Sequence, residues 1–152
     1  MQQRIDVTKV NPAVQKAVYA LQAYVDQSGL DAKLRELIKI RASQINGCAY
    51  CLAMHTRDAR KLGETEDRIQ LLNAWREAPL YNAREQAALA WTEALTLITH
   101  GHVPDEVYEQ VRKQFSEKEI VDLTAAVTVI NTWNRIAIAF RATPQVEKAK
   151  AA

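Results

Sequence analysis

Hydrophobic residues recur along most of the chain at the three- and four-residue spacing of an amphipathic α-helix. Residues that start or stop helices separate these runs: Pro12 and Pro104 stand where helices would begin, and Gly29 and Gly63 stand just after their ends. Together, the runs and their boundaries predict six to seven helices, at about residues 12–27, 31–45, 47/48–62, 66–75, 82–99, 104–115 and 116–141.

The second and third predicted helices are joined by Asn46 and Gly47, a pair that readily takes left-handed backbone angles and makes a tight reversal. We therefore expect these two helices to pack side by side as an antiparallel hairpin. Residues 127–130 include β-branched side chains, but they continue the helical phase of the last run, so no strand is predicted. The expected fold is all-α, a single compact domain over residues 1–152 with a poorly ordered tail at 144–152.

The composition is that of a globular protein, because 48% of the 152 residues are hydrophobic and 25% are charged, with only 4 glycines and 4 prolines. The net charge of +2 is too small to indicate a nucleic-acid surface. The N-terminal segment lacks the apolar core of a signal peptide, and no stretch approaches the ~18 apolar residues of a membrane span. We expect a cytoplasmic protein that binds neither nucleic acid nor membranes.

Both cysteines and the first of three histidines lie close together in the stretch NGCAYCLAMH, residues 46–55. On a helix, Cys48, Cys51 and His55 occupy positions i, i+3 and i+7, so their side chains share one face. Cysteines in the first turn of a helix meet unpaired backbone N–H groups, which lower a thiol pKa from about 8.5 to between roughly 3.5 and 7.5. Where thiols are kept reduced, such a CxxC pair indicates catalytic, redox or metal chemistry.

Glu36 and His55 lie at similar distances from the predicted turn, ten residues before it and eight residues after it. In an antiparallel hairpin the carboxylate can therefore come level with the imidazole. A carboxylate bound to one ring nitrogen fixes the tautomer and makes the other nitrogen more basic, as a proton shuttle for Cys51 requires. The candidate site is thus a connected relay of Glu36, His55, Cys51 and Cys48.

Three other interpretations of these residues stay open. The two cysteines could be small core residues, as buried cysteines often are. They could also bind zinc with His100 and His102 as further ligands, although these histidines stand in what resembles an ordinary loop before Pro104. Glu36 alone could be a solvated helix residue, and only its register with His55 argues otherwise.

The stretch ELIKIRASQINGCAYCLAMHTRDARKLG, residues 36–63, resembles the core motif of the alkylhydroperoxidase D-like proteins in the carboxymuconolactone decarboxylase superfamily. In that motif a glutamate lies twelve residues before the first cysteine of CxxC, and a histidine lies four residues after the second cysteine. The residues of this chain that match are Glu36, Cys48, Cys51 and His55. The later stretch INTWNRIAIAFR, residues 130–141, is similar to the closing helix of the family.

This resemblance implies an all-α fold that forms homo-oligomers, commonly trimers or hexamers, and a thiol peroxidase activity without haem, flavin or metal. By analogy, Cys51 would attack the peroxide oxygen and become a sulfenic acid, and Cys48 would supply the proton and then close the disulfide. Glu36 and His55 would form the relay. No cofactor is expected. Because the chain has only 2 cysteines, an external dithiol or a protein reductant must restore the thiols.

The chain departs from the family pattern at Tyr50. The best-known members have a second histidine directly before the second cysteine, whereas a tyrosine cannot shuttle protons at neutral pH. We therefore predict a thiol peroxidase for hydrogen peroxide or organic hydroperoxides, with weaker turnover or a different substrate. A disulfide reductase and a non-catalytic redox sensor stay open as rival functions. A muconolactone decarboxylase matches less well, because that branch typically lacks CxxC.

Overall fold

The helices of the chain follow the hydrophobic pattern, with one addition at the N-terminus. The computed structural model describes residues 2–144 and residue 146, so the predicted poor order of residues 144–152 falls almost entirely outside them. The described residues contain no strand, which confirms the all-α class. The elements in chain order are α1 (Val7–Val10), α2 (Pro12–Gln27), α3 (Ala32–Asn46), α4 (Ala49–Lys61), α5 (Glu66–Gln70), a 3₁₀ helix (Leu71–Ala74), α6 (Ala83–Thr96), α7 (Asp105–Arg112) and α8 (Glu117–Phe140).

Capping side chains explain where α6 and α8 begin. Asn82 Oδ1 accepts the backbone N–H of Glu85 at 3.0 Å, and the Glu85 carboxylate accepts the backbone N–H of Asn82 at 2.9 Å. Ser116 and Glu119 form the same reciprocal pair at the start of α8. Each pair satisfies two backbone N–H groups that the helix itself cannot.

The sequence places the end of α6 too late, at about residue 99. The helix ends at Thr96, and the chain turns away through Gly101, whose φ of 91° lies in the left-handed region. Leu97 and Ile98 continue the apolar run, but they are 39% and 47% exposed. Because these side chains have no core to pack against, hydrophobic spacing alone does not extend the helix.

The short helix α1 is not among the helices predicted from the sequence, and none of its residues is buried in the structure. The Asp6 carboxylate caps it by accepting the backbone N–H groups of Thr8 at 3.1 Å and Lys9 at 3.4 Å. The residues before it are attached to the far end of the chain: the Arg4 backbone N–H and guanidinium donate to Phe140 O at 3.0 Å and to Ala139 O at 3.2 Å. The N-terminal segment therefore lies against the end of α8.

The helix α3 lies at the centre of the fold, in contact with α4, α6 and α8. Its apolar side chains serve two hydrophobic clusters, because Ile38 packs in one while Leu37 and Ile40 pack in the other. All three are fully buried. A helix enclosed on so many sides also buries its polar residues, and the polar residues that α3 buries are Glu36, Lys39 and Ser43.

The helix α8, with 24 residues, is long and apolar, and it packs against α2, α3 and α6. Leu123, Val127 and Ile130 face the interior, whereas Val121 and Ile138 are 64% and 46% exposed. Among the described residues, no helix combines the length and the apolar character that crossing a membrane requires.

The turn between α3 and α4 allows a direct test of how the hairpin is held. Gly47 has a φ of 69°, and a side chain added there would meet no atom within 4 Å. We therefore expect Gly47→Ala to destabilise the protein by about 1 kcal/mol, through backbone strain alone. Urea unfolding measures the loss. Gly47→Asn is the control, because asparagine tolerates left-handed angles; equal losses in the two variants would contradict the explanation.

Candidate active site

The α3–α4 hairpin brings Glu36 and His55 into contact, in the register that counting from the turn predicts. His55 Nδ1 lies 2.9 Å from Glu36 Oε2, and both residues are 7% exposed. An ionised carboxylate can only accept hydrogen bonds, so Nδ1 carries the proton and Nε2 is free to act as a base in the neutral ring. Glu36 is therefore no solvated helix residue.

Lys39 is a member of the site that the sequence interpretation missed. Its Nζ lies 2.8 Å from Glu36 Oε1, so each oxygen of the carboxylate has one partner. Burial would raise the pKa of Glu36, but the hydrogen bond from His55 and the charge of Lys39 outweigh it and lower that pKa below its ordinary value. The i, i+3 spacing of Glu36 and Lys39 on one helix was the available signal.

The two cysteines meet at the start of α4, but not both within its first turn. Cys48 is the N-cap residue, ahead of the first turn, and its Sγ accepts the backbone N–H of Cys51 at 3.4 Å. Each residue is 1% exposed, and both thiols are free. The structure thus presents the reduced pair at the positive end of a helix.

The two thiols differ in their readiness to ionise. The hydrogen bond with the Cys51 side chain lowers the pKa of Cys48 to about 7, and backbone N–H groups of Cys51 and Tyr50 contribute although burial opposes the shift. The same hydrogen bond, burial and the negative charge on Cys48 raise the pKa of Cys51. Cys48 is therefore the thiol of the reduced pair that ionises first, while the proton stays on Cys51.

A buried amide network supports the pair from α8. Asn134 is fully buried; it donates to Ser43 Oγ at 3.0 Å and accepts from Asn46 at 2.9 Å. Its hydrogen bonds also favour the ionised form of both thiols. Asn134 was not singled out from the sequence, because its partners Ser43 and Asn46 lie far away along the chain.

A cavity of about 480 Å³ opens onto the site. Cys51, His55 and Lys39 lie on its wall, and Tyr50 joins them there. Aromatic side chains from α2 and α8 and residues of the N-terminal segment form other parts of the lining. Cys51 therefore borders a space that a small substrate could occupy.

Trp133 is one of these aromatic walls, and its ring lies 4.9 Å from the ring of Tyr19. The cysteines also pack in a small apolar cluster with Ala42 and Ile130. The simple core interpretation is therefore correct about their burial, but it does not account for the position of Cys51 on the cavity wall.

The geometry does not favour a metal at this place. Glu36, His55 and Asp58 offer ligand atoms within 4.8 Å of one another, but lysine ammonium groups already lie 2.8 Å from each carboxylate, Lys39 on Glu36 and Lys61 on Asp58. A divalent cation would have to displace both.

The zinc site that would join the cysteines to His100 and His102 is also not formed. Among the described residues, no group of potential metal ligands contains a cysteine together with either histidine. Both histidines are exposed, in the turn between α6 and α7, whereas the thiols are buried.

The ionisation of the pair predicts the pH dependence of thiol alkylation. Because protonated thiols do not react, we expect iodoacetamide labelling of Cys48 to fall as the pH drops through about 7. Cys51→Ala removes the hydrogen bond that does most to lower the pKa of Cys48. In this variant we therefore expect the midpoint of Cys48 labelling to move up toward the ordinary thiol range. Mass spectrometry follows the labelled peptide.

Tyr50→Phe is the matched control for this measurement, because it keeps both thiols and the backbone N–H at residue 50. A wild-type midpoint near the ordinary thiol value of about 8.5 would contradict the assigned ionisation.

Comparison with known proteins relates this chain to uncharacterized and peroxidase-related proteins. YdfG of Bacillus subtilis, an uncharacterized protein, is 48% identical over 139 residues, which are 91% of this chain and 95% of YdfG. The solved structure of ATU0492 from Agrobacterium tumefaciens, a protein of unknown function proposed to be the antioxidant defence protein AhpD, is 46% identical. Its TM-score is 0.94, and the match covers 96% of this chain and 100% of that one.

A more distant solved structure has the same fold. It is an uncharacterized peroxidase-related protein from Silicibacter sp. TM1040, 28% identical, with a TM-score of 0.78 over 89% of this chain and 72% of its own. The sequence profile of the carboxymuconolactone decarboxylase family matches residues 12–94, which is more than half of the chain. The helical fold and this match together confirm the resemblance in the motif: the protein belongs to the carboxymuconolactone decarboxylase family.

Proposed function

We propose that the protein is a thiol peroxidase that reduces hydrogen peroxide or organic hydroperoxides through a disulfide between Cys48 and Cys51. The observation that carries this proposal is the free thiol pair at the start of α4, with Cys51 on the wall of the cavity that His55 also lines. A low-pKa thiol next to a second thiol is the arrangement that reacts with an oxidant and then resolves the product.

The first step would occur at Cys51, the cysteine that borders the cavity. Its proton passes to the Cys48 thiolate, and the Cys51 sulfur attacks one peroxide oxygen. The S–O bond forms as the O–O bond breaks, so the sulfur is oxidised and the peroxide is reduced. The leaving alkoxide or hydroxide takes the proton from Cys48, which gives an alcohol or water and leaves a sulfenic acid on Cys51.

The second step closes the disulfide. The Cys48 thiolate attacks the sulfenic sulfur, the S–S bond forms, and the S–O bond breaks. The leaving hydroxide takes a proton supplied from solvent through His55 and departs as water, while Glu36 holds the ring in place. An external dithiol or protein reductant must then return two electrons to the disulfide.

We assign the protein to the cytoplasm, because such reductants are kept available there.

The exposed apolar side chains of α2 and α8 support the further proposal of a homo-oligomer, a trimer or a hexamer. The 16-residue helix α2 buries only Val25 in the single chain, while its Val14 and Tyr19 are 44% and 55% exposed. Ile138 on α8 is 46% exposed. Apolar surface of this kind is commonly covered by another subunit.

The peroxidase proposal requires Cys51 for every turnover. With excess dihydrolipoamide as reductant, we expect wild-type protein to consume cumene hydroperoxide or hydrogen peroxide over many cycles, and Cys51→Ser to consume none. Cys48→Ser should form a sulfenic acid slowly and only once, which dimedone traps, and no disulfide, because it lacks both the thiolate that takes the Cys51 proton and the thiol that resolves the product. His55→Asn should slow turnover by roughly 10²-fold, because the proton for the leaving hydroxide no longer passes through the imidazole.

The rival functions predict other results in the same assay. A disulfide reductase would exchange electrons with dithiols but show negligible peroxide turnover. A redox sensor would undergo a single stoichiometric oxidation without recycling. An active Cys51→Ser protein would rule out the peroxidase mechanism.

A further inference from the structure

Lys39 has no part in the two chemical steps, yet its ammonium group contacts the carboxylate that holds His55. Its Nζ lies 2.8 Å from Glu36 Oε1, and the side chain is only 9% exposed. It also lines the cavity that Cys51 and His55 border. Lysine is rarely this buried, because removing an ammonium group from water costs several kcal/mol.

Fold stability alone does not explain a cation at this position. A buried ion pair commonly contributes no more to stability than hydrophobic residues of the same volume. An apolar residue at position 39 could not place a fixed positive charge beside the carboxylate that also binds His55.

We propose that Lys39 is a positioning residue whose fixed positive charge weakens proton binding by the Glu36–His55 pair. This goes beyond the proposed function by adding a member to the relay, and it rests on that function only for its effect on turnover. The proton binding itself can be measured without any peroxide.

The direction of the change in proton affinity follows from the charges of the three buried groups. With Lys39 present, ionised Glu36 and Lys39 cancel, so a proton added to the pair creates a net positive charge away from water. Without Lys39, the same proton would neutralise a buried negative charge. One unit charge at this range changes proton binding by roughly one to three pH units, so the loss of Lys39 must strengthen proton binding.

Other titratable groups face the same relay and are the same in every variant. Asp58 on α4 lies within the same 4.8 Å group and is paired with Lys61. The remaining groups on the site and on the cavity wall are Cys48, Cys51, Tyr50, Asp6, Tyr19 and Asp26. Because a change at position 39 leaves all of them in place, a difference between variants reports the Lys39 charge.

NMR of the histidine rings provides the test. The pH of half-titration of His55 is measured in the reduced protein for wild type, Lys39→Gln and Lys39→Arg, with His55→Asn used to assign the signal. Glutamine keeps a donor for Glu36 but removes the charge, whereas arginine keeps the charge. The exposed residues His100 and His102 serve as internal references.

We expect Lys39→Gln to raise the midpoint of His55 by about one pH unit, a tenfold change in proton affinity, while Lys39→Arg keeps the wild-type midpoint. Unchanged midpoints in the glutamine variant would overturn the proposal. Lys39→Met repeats the test if the glutamine variant does not fold. Should neither neutral variant fold while the arginine variant does, the role of Lys39 is structural and the proposal also fails.

Peroxide turnover, measured on the same samples, separates this proposal from the proposed function. If the midpoint moves but wild-type protein consumes no peroxide, the role of Lys39 stands and the peroxidase assignment fails. If wild-type protein turns over peroxide and the midpoint does not move, only the role of Lys39 fails. If both hold, the pH dependence of turnover in Lys39→Gln is displaced to higher pH than that of wild-type protein.

Discussion

The carboxylate of Glu36 is the group on which the arrangement of the site depends. It lies on a helix enclosed by three others, so water cannot serve as its main partner. A buried charge left without partners costs several kcal/mol, and this cost is avoided only if each carboxylate oxygen has a hydrogen-bond partner. One partner, Lys39, comes from α3 itself and the other, His55, comes from α4. Satisfying one charge thus fixes how the two helices face each other.

The fold could be predicted from the sequence because its boundaries are local. Prolines, glycines and reciprocal caps such as Asn82 with Glu85 mark helix ends through contacts a few residues apart. The contact between Glu36 and His55 was predictable for the same reason, since a tight turn at Gly47 converts sequence distance into spatial register. Where a helix end depends on what lies beside it, as at Thr96, the pattern misplaced it.

The features that the sequence did not reveal depend on contacts between distant parts of the chain. Asn134 reaches Ser43 across 91 positions, and no local spacing indicates that pairing. The cavity requires α2, α4, α8 and the N-terminal segment together. The unequal ionisation of Cys48 and Cys51 has the same origin, because it depends on burial and on which thiol receives the backbone N–H groups. The residue types indicated thiol chemistry, whereas the fold was needed to show which of the two cysteines ionises first.

The attachment of Arg4 to the end of α8 has a consequence for the dynamics of the site. The residues it joins are 135 positions apart, and the hydrogen bonds lie at the exposed edge of the protein rather than in its core. Such edges open far more often than central helices do, without global unfolding. Backbone hydrogen exchange around Arg4 and at the last turn of α8 should therefore be fast while α3 stays protected. Gln3, Ile5 and Asp6 of this segment line the cavity, so this part of its wall is held less firmly than the central helices.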